Sequence, residues 1–285
     1  PALVALLDPF TAEWHIVAGS GSLLACLALI VTSLWRKGLR LPYEGWRVAH
    51  ALLAVLAVGL ALLLIDGVGY YVTSGWKRGL WTTIALSLLA VVIWVRLVRP
   101  WRLRRAPYRV AAIAPQRGSA WTLTFAPEGH RGLRFRPGQF AWLTLRSSPF
   151  AMREHPFSIS SAPAADGRVE LTIKELGDFT STIASVRPGE VAYLDGPYGA
   201  FSCDRFPDAP GYVFIGGGIG LAPLLSMLRA LAERGERRPL LLVAANSRWE
   251  RVPFRDAMHA LTARLDLRIV HVLEEPPPDW QGEVG

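Results

Sequence analysis

Charge is scarce in this chain. Asp, Glu, Lys and Arg make up 19% of its 285 residues while 51% are hydrophobic, against roughly a quarter charged in an ordinary soluble domain. That deficit argues against a protein dissolved throughout in water. Cysteine is scarcer still: Cys26 lies inside an apolar run and Cys203 far along the chain, which excludes a disulfide framework and any zinc-ligand spacing, and leaves the redox compartment unread. No short repeat is present, so collagen and coiled coil are excluded, and the apolar content excludes simple disorder. The chain does not begin with Met, and no basic segment precedes its first apolar run. Its start reads as a cut and not as a signal peptide.

The apolar excess is concentrated before Arg99. Three runs, 16–35, 48–65 and 80–98, match the roughly 20 helical residues that a hydrocarbon core of about 30 Å requires. Trp, Tyr, Lys or Arg bound each of them, as interfacial anchoring demands. Buried helices of a large soluble protein are the alternative, but three such runs so close together leave too little polar surface to cover them. Asp8 and Glu13 precede the first run with no Lys or Arg, whereas Arg36, Lys37, Arg40 and Arg47 fill the first connection and Lys77 and Arg78 follow the second run. Arg96, Arg99, Arg102, Arg104, Arg105 and Arg109 crowd the exit of the third. The positive-inside rule then puts the N-terminal end outside and everything after Arg99 in the cytoplasm of a multi-pass inner-membrane protein. The formal charge of +8 is thereby explained by anionic lipid headgroups, not by nucleic acid.

An ionisable residue within a span is a functional candidate by default. His50 sits four residues past Trp46, about 6 Å along a helix from the inner interface, where neutral imidazole is competent as an axial haem ligand. A histidine tolerated near the headgroups explains it as well. His15, at the outer mouth of the first span, reads as interfacial.

Beyond Arg99 the pattern changes to six short β segments, 108–114, 120–126, 139–146, 157–161, 168–174 and 191–194, separated by Pro-Gly and Asp-Gly turns and interrupted by one helix-like insert at 179–186. That is the pattern of a small antiparallel barrel that closes its own edges. After Gly211 the order becomes strand 212–215, glycine turn, helix 221–233, strand 240–245, helix 253–265, strand 267–272, which is half of a doubly wound nucleotide-binding domain. The chain stops soon afterwards and reads as a fragment truncated at both ends. The turn Gly216-Gly217-Gly218-Ile219-Gly220 would let backbone amides approach a pyrophosphate at a helix start, although it lacks the sixth-position glycine of the usual dinucleotide fingerprint and also suits a tight structural turn. Asn246-Ser247-Arg248 ends the second strand where NAD-binding domains usually place an acid. Ser247 and Arg248 suit a 2′-phosphate, which favours NADPH over NADH.

Arg153-Glu154-His155-Pro156-Phe157-Ser158-Ile159-Ser160-Ser161, preceded by Phe135-Arg136-Pro137-Gly138-Gln139-Phe140, resembles the flavin motif of the ferric reductase and NADPH oxidase superfamily. Gly177-Asp178-Phe179-Thr180, Asp195-Gly196-Pro197-Tyr198-Gly199 and Gly217-Gly218-Ile219-Gly220-Leu221-Ala222-Pro223 follow in that family's order, and the resemblance covers nearly the whole chain. It implies a three-helix membrane segment over 1–106, an FAD-binding six-stranded antiparallel β-barrel of the ferredoxin–NADP reductase type over 107–200, and an incomplete NADP-binding α/β domain over 201–285. On this resemblance His155, Pro156, Phe157, Ser158 and Ile159 would line FAD, with Ser158 the catalytic residue at the reactive flavin edge and Ser160 toward the phosphates. Gly177, Asp178, Phe179 and Thr180 would hold the FAD pyrophosphate. Gly196, Pro197, Tyr198 and Gly199 would flank the nicotinamide path, and Gly217, Gly218, Ile219, Gly220 and Pro223 would hold NADPH phosphates.

Tyr43-Glu44-x-Trp46-Arg47-x-x-His50 resembles the entry to the helix that gives this family one axial ligand to each of two stacked haems. His50 would be the inner ligand. The outer position falls on Leu63 or Leu64, which cannot bind iron, so an inner haem alone is implied. Electrons would run from cytoplasmic NADPH through FAD to that haem, and then to ferric iron, oxygen or a quinone. A membrane-anchored flavin reductase without haem, or a transport or interaction protein with vestigial nucleotide motifs, are the competing readings. The oligomeric state is not legible.

Overall fold

The computed structural model describes residues 12–285. Asp8 lies outside them, as do the side chains of Glu44 and Tyr71. The chain divides into two compact units, one ending at Trp101 and the other spanning Arg102–Gly285.

The first unit holds three helices long and apolar enough to cross a membrane. They are α1 (Trp14–Leu34), α2 (Tyr43–Val68) and α3 (Gly75–Ile93). Helix α2 starts after Pro42, whose fixed φ of −58° presets the first turn and whose carbonyl accepts from Trp46 N–H at 2.9 Å. It stops at Gly69, where φ is +70°, a left-handed cap that glycine adopts without steric cost. Both α2 and α3 begin about a turn before their apolar runs, because interfacial Tyr, Trp, Lys and Arg continue a helix although they are not hydrophobic. Helices α1 and α2 pack antiparallel. Ser22 Oγ donates to the Ala57 carbonyl at 2.8 Å, and the side chain of Leu64 lies against Gly19. Helix α3 widens into a π turn over Trp94–Val98 before α4 (Arg99–Arg104). Pro100 explains it: its ring has no N–H to offer the carbonyl of Arg96 and would clash with it in a regular turn.

In the second unit the six strands β1 (Tyr108–Gln116), β2 (Ala120–Pro127), β3 (Phe140–Leu145), β4 (His155–Ser158), β5 (Val169–Lys174) and β6 (Val191–Tyr198) form one antiparallel sheet, ordered β4-β3-β6-β1-β2-β5. Alternate residues point inward, and Leu123, Phe125, Leu143, Leu171 and Ile173 are completely buried. Each contributes about 1.5–3 kcal/mol of apolar burial. The edge strands meet through an isolated bridge between Ile159 and Leu171 and through Ser160 N–H donating to the Glu170 carbonyl at 2.9 Å. Closure of the barrel is thus a single seam just beyond β4. The insert is a 3₁₀ helix over Thr180–Ser185, anchored by the buried Ile183. Gly138, at φ +93°, turns into β3 where a Cβ would collide with the Phe201 carbonyl and the Met227 methyl.

The last lobe is parallel: β7 (Tyr212–Gly217), α5 (Leu221–Glu233), β8 (Leu240–Asn246), α6 (Arg255–Leu261), β9 (Leu267–Leu273) and β10 (Glu283–Val284), with sheet order β10-β9-β8-β7. Helix α5 buries Leu221, Leu224, Leu225 and Leu228 in one cluster with Phe214, Leu242 and Ala244. Helix α6 is shorter than the span expected, because Phe254 enters it in the left-handed region (φ +59°) and residues 262–264 form a turn. The fourth strand, β10 (Glu283–Val284), carries no periodic signal. It is placed by a turn in which Trp280 Nε1 donates to the Glu283 carbonyl at 3.0 Å.

Candidate functional site

Strand β4 ends at Ser158, 19 residues before Gly177 of the loop that leads into the 3₁₀ insert, and the two are adjacent in space. The His155 ring stacks on Phe179 at 4.0 Å and 16°, and Phe157 stacks on Phe179 at 6.1 Å and 24°. Two of the four motifs therefore form one aromatic wall. Ser158 is half-buried beside Phe140 in the β3–β4 register, and its hydroxyl has no hydrogen-bond partner among the described residues, so it remains available to a ligand. Pro156 is exposed. Ile159 and Ser160 lie differently from the expectation. Ile159 is completely buried in the barrel core, and Ser160 is buried with its hydroxyl on the Glu170 carbonyl (3.2 Å) and Thr172 Oγ1 (2.9 Å). Past Ser158 the strand turns inward to make the seam, so these two side chains face the core and not solvent.

Thr180 Oγ1 accepts from the amides of Leu176 (2.8 Å) and Gly177 (2.9 Å) and donates to the Gly177 carbonyl. Its hydroxyl is thus spent on shaping the Gly177–Asp178–Phe179 turn, which is exposed around Gly177 and Asp178. The Gly196–Gly199 segment is tied to the Pro-Gly turn: Gln139 Nε2 donates to the Gly199 carbonyl at 2.9 Å while its Oε1 accepts from Arg136 N–H at 2.8 Å. Tyr198 leans on Phe140 at 5.8 Å and donates to the Asp195 carboxylate. A cavity of about 640 Å³ lies along this join, lined by Arg136, Gln139, Pro197, Gly199 and Arg205.

A second cleft, of about 550 Å³, lies at the C-terminal ends of the parallel strands, where open α/β sheets bind ligands. Gly217, Gly218, Asn246 and Ser247 line it from one side, and Ser119 and Lys174 of the barrel from the other. Gly218 has φ +51° with nothing near its missing Cβ, and Gly220 is equally open. No side chain caps the start of α5 and no acid occupies its first turn; the Leu221 amide is taken by the Gly218 and Ile219 carbonyls of the 3₁₀ turn Gly218–Gly220 that leads into the helix, so the amides left to a ligand are those of the glycine turn itself. Pro223 sits in that turn, half-buried, and Ile219 packs on the core. Asn246 Nδ2 is buried with no acceptor, a donor that a ligand oxygen would satisfy.

The basic side chains of this cleft differ from those anticipated. Arg248 is engaged by Glu275, whereas Arg251, three residues on, lines the cleft together with Lys174. Neither Arg251 nor Lys174 has a carboxylate partner among the described residues. Sequence reasoning missed both, since Lys174 ends an ordinary barrel strand and Arg251 belongs to no motif. Cys203 lines neither cavity and packs in the apolar cluster instead; burial, reinforced by Asp204, pushes its thiol up to about 11.

In the membrane unit His50 lies beside Trp46 (ring centroids 4.9 Å), and its Nδ1 is 3.4 Å from Ser33 Oγ. Ser33 gives its single hydroxyl hydrogen to the Leu29 carbonyl at 2.6 Å, so a hydrogen bond between it and His50 across the 3.4 Å contact requires the ring proton on Nδ1. Nε2 then keeps its lone pair, the tautomer that a metal ligand requires. These residues fit one axial haem position. The outer position does not: Leu64 fills the space over Gly19. His15 pairs with Glu13 at 3.4 Å at the far end of α1. Among the described residues no group of three or more His, Cys, Asp or Glu side chains could hold a metal ion.

Residues 122–202 match the FAD-binding domain family and residues 214–285 the oxidoreductase NAD-binding domain family. The chain is 36% identical over 133 residues to the reductase component of propane 2-monooxygenase from Rhodococcus jostii, covering 46% of this chain and 35% of that protein. It is 27% identical over 255 residues to respiratory burst oxidase homolog protein D of Solanum tuberosum, covering 76% of this chain and 29% of that one. A ferredoxin–NADP reductase from Neisseria gonorrhoeae, solved with FAD and NADP, superposes with a TM-score of 0.52 at 23% identity over 63% of this chain and 72% of its own, a likeness of fold. The chain spans about a third of the length of these two curated relatives.

Proposed function

We propose that this chain, which carries an FAD-binding domain followed by an oxidoreductase NAD-binding domain of the ferric reductase and NADPH oxidase type, moves electrons from cytoplasmic NADPH to an acceptor in or across a membrane. FAD, when bound, supplies the exchange between a two-electron hydride donor and one-electron acceptors. The protein's task is to bind, orient and exclude water. His155, Phe157 and Phe179 form the aromatic wall for the flavin, and the unpaired Ser158 hydroxyl serves as a donor to its reactive edge. The Gly177–Phe179 turn, shaped by Thr180, offers backbone donors to the FAD pyrophosphate. Gly217, Gly218 and Gly220 open the start of α5 to NADPH phosphates, Ser247 and Arg251 hold the 2′-phosphate, and Lys174 adds a cation from the barrel side. Pro197, Tyr198 and Gly199 flank the nicotinamide path.

In the membrane, His50 would hold one haem by Nε2, with Ser33 fixing its tautomer. A single haem near the inner leaflet favours an acceptor reached inside the bilayer, such as a quinone, over ferric iron or oxygen at the outer face. The observation that carries the reading is the meeting of the two flavin motifs in one aromatic wall with an unpaired serine beside it. Full-length protein purified with bound flavin should be reduced by NADPH under anaerobic conditions, and Ser158→Ala should slow that reduction about tenfold or more. Unchanged reduction in Ser158→Ala would remove Ser158 from the site.

A further inference from the structure

The half-sites for flavin and nicotinamide nucleotide stand on different lobes, and the first turns that follow them are bonded to each other. Helix α5 begins at the glycine turn. Two turns along it, Ser226 Oγ donates to the Ser161 carbonyl at 2.6 Å, and Arg229 Nη1 donates both to the Ser160 carbonyl at 3.0 Å and to Glu170 Oε2 at 2.6 Å. Ser160 and Ser161 directly continue the strand that carries His155–Ser158. Ser226 and Ser160 are completely buried, and Arg229 and Glu170 are about two-thirds buried. Glu170 is itself held on the barrel seam by its backbone: its N–H donates to Ser161 Oγ at 3.1 Å and its carbonyl accepts from Ser160 N–H at 2.9 Å.

We infer that Arg229, with Ser226, is a positioning residue: it fastens the helix that opens at the nicotinamide nucleotide turn to the strand that presents Ser158. The lever arms are short and stiff. Ser226 lies six residues from Gly220, about 9 Å of helix, and Ser158 lies three residues from Ser161, about 10 Å of strand. Loss of the Arg229 bonds leaves two seam acceptors, a carbonyl and a carboxylate, without their shared donor, and lets α5 shift against β4. A shift of the order of 1 Å between reacting groups costs about 100-fold in rate without altering either half-site. This inference rests on the function proposed above, which assigns the two half-sites.

Arg229→Met in the full-length protein, with Arg229→Lys and Ser226→Ala beside it, tests the inference through two independent readouts. Amide hydrogen exchange across 158–161 and 221–233 should quicken at least tenfold in Arg229→Met and return partway in Arg229→Lys. In single-turnover mixing with NADPH, Arg229→Met should retain its FAD and bind NADP⁺ within about twofold of the parent, yet lose at least tenfold in flavin reduction rate and weaken the long-wavelength nicotinamide–flavin charge-transfer absorbance. Unchanged exchange overturns the latch, as does unchanged reduction rate with an intact charge-transfer band. A parent protein that NADPH fails to reduce contradicts the proposed function instead, and the exchange measurement still decides the latch. Should Arg229→Met not fold, Ser226→Ala supplies the same comparison.

Discussion

At the scale of single residues the nucleotide cleft separates two arginines that the sequence cannot rank. Arg248 follows Ser247 directly and matches the expected position, yet Glu275 holds it, while Arg251 lines the cleft with no carboxylate partner among the described residues. Arg251→Ala should therefore raise the KM for NADPH by about 10- to 100-fold, the worth of a hydrogen bond to a charged group, and should leave the KM for NADH nearly unchanged. Arg248→Ala should change either by less than about threefold. Steady-state kinetics with both dinucleotides checks this, and the reverse ranking would return the role to Arg248. The difference arises because register along β8 is readable from its apolar pattern, but the direction of a side chain on the irregular turn after it depends on Glu275, 27 residues later. Ser160 is a similar case: a serine inside a motif that the barrel seam turns inward.

Elements were legible where they are periodic. The span of α5, with buried positions at every turn, matches its hydrophobic pattern, and the barrel strands fall at the alternating segments, except that β4 is His155–Ser158 and not 157–161 and β6 runs past 194 to Tyr198. What escaped notice has no period: the short β10, the π turn set by Pro100, and the 3₁₀ geometry of the insert. Within that insert Thr180 caps two amides, so Thr180→Val, which keeps shape and loses the acceptor, should cost about 1–3 kcal/mol locally and lower FAD affinity. Flavin retained on dilution measures it, and unchanged retention would make the cap irrelevant to binding. The β9–α6 contact carries its own signature. His271 is buried against His259 Nε2 (3.3 Å), Trp249 packs on its edge, and burial, His259 and Arg255 all hold its imidazole below the ordinary value. The folded state thus resists a proton that the unfolded chain accepts near pH 6.5, so this contribution to stability is complete above about 6.5 and is lost as pH falls below it. The urea midpoint should drop between about pH 7.5 and 5.5, and His271→Phe should flatten that dependence; an unchanged slope would contradict it.

At the scale of the whole molecule, two solvents explain the composition. The three apolar helices expose Leu23, Leu24, Leu52 and Leu86 by more than half, a surface that only lipid or further helices would tolerate. The barrel and parallel lobe bury their apolar residues in two separate clusters. That division was plain from the sequence because it follows from run length, and the nucleotide turn because it follows from glycine placement, whereas the flavin motif was carried by the family resemblance. The proposed haem site was less plain, since a single histidine in a span has no partner to pair with by spacing; Ser33 supplies the tautomer argument only once α1 and α2 are packed. In full-length protein His50→Leu should abolish one haem's absorbance without loss of flavin, and an unaltered haem spectrum would remove His50 from any ligand role. The central claim, that NADPH delivers electrons to a flavin held between β4 and the Gly177–Thr180 turn, is tested most directly by mixing purified, flavin-loaded protein with NADPH in the absence of oxygen. The account predicts rapid bleaching of the yellow flavin absorbance, slowed in Ser158→Ala. A flavin that stays oxidised in the parent protein would contradict it.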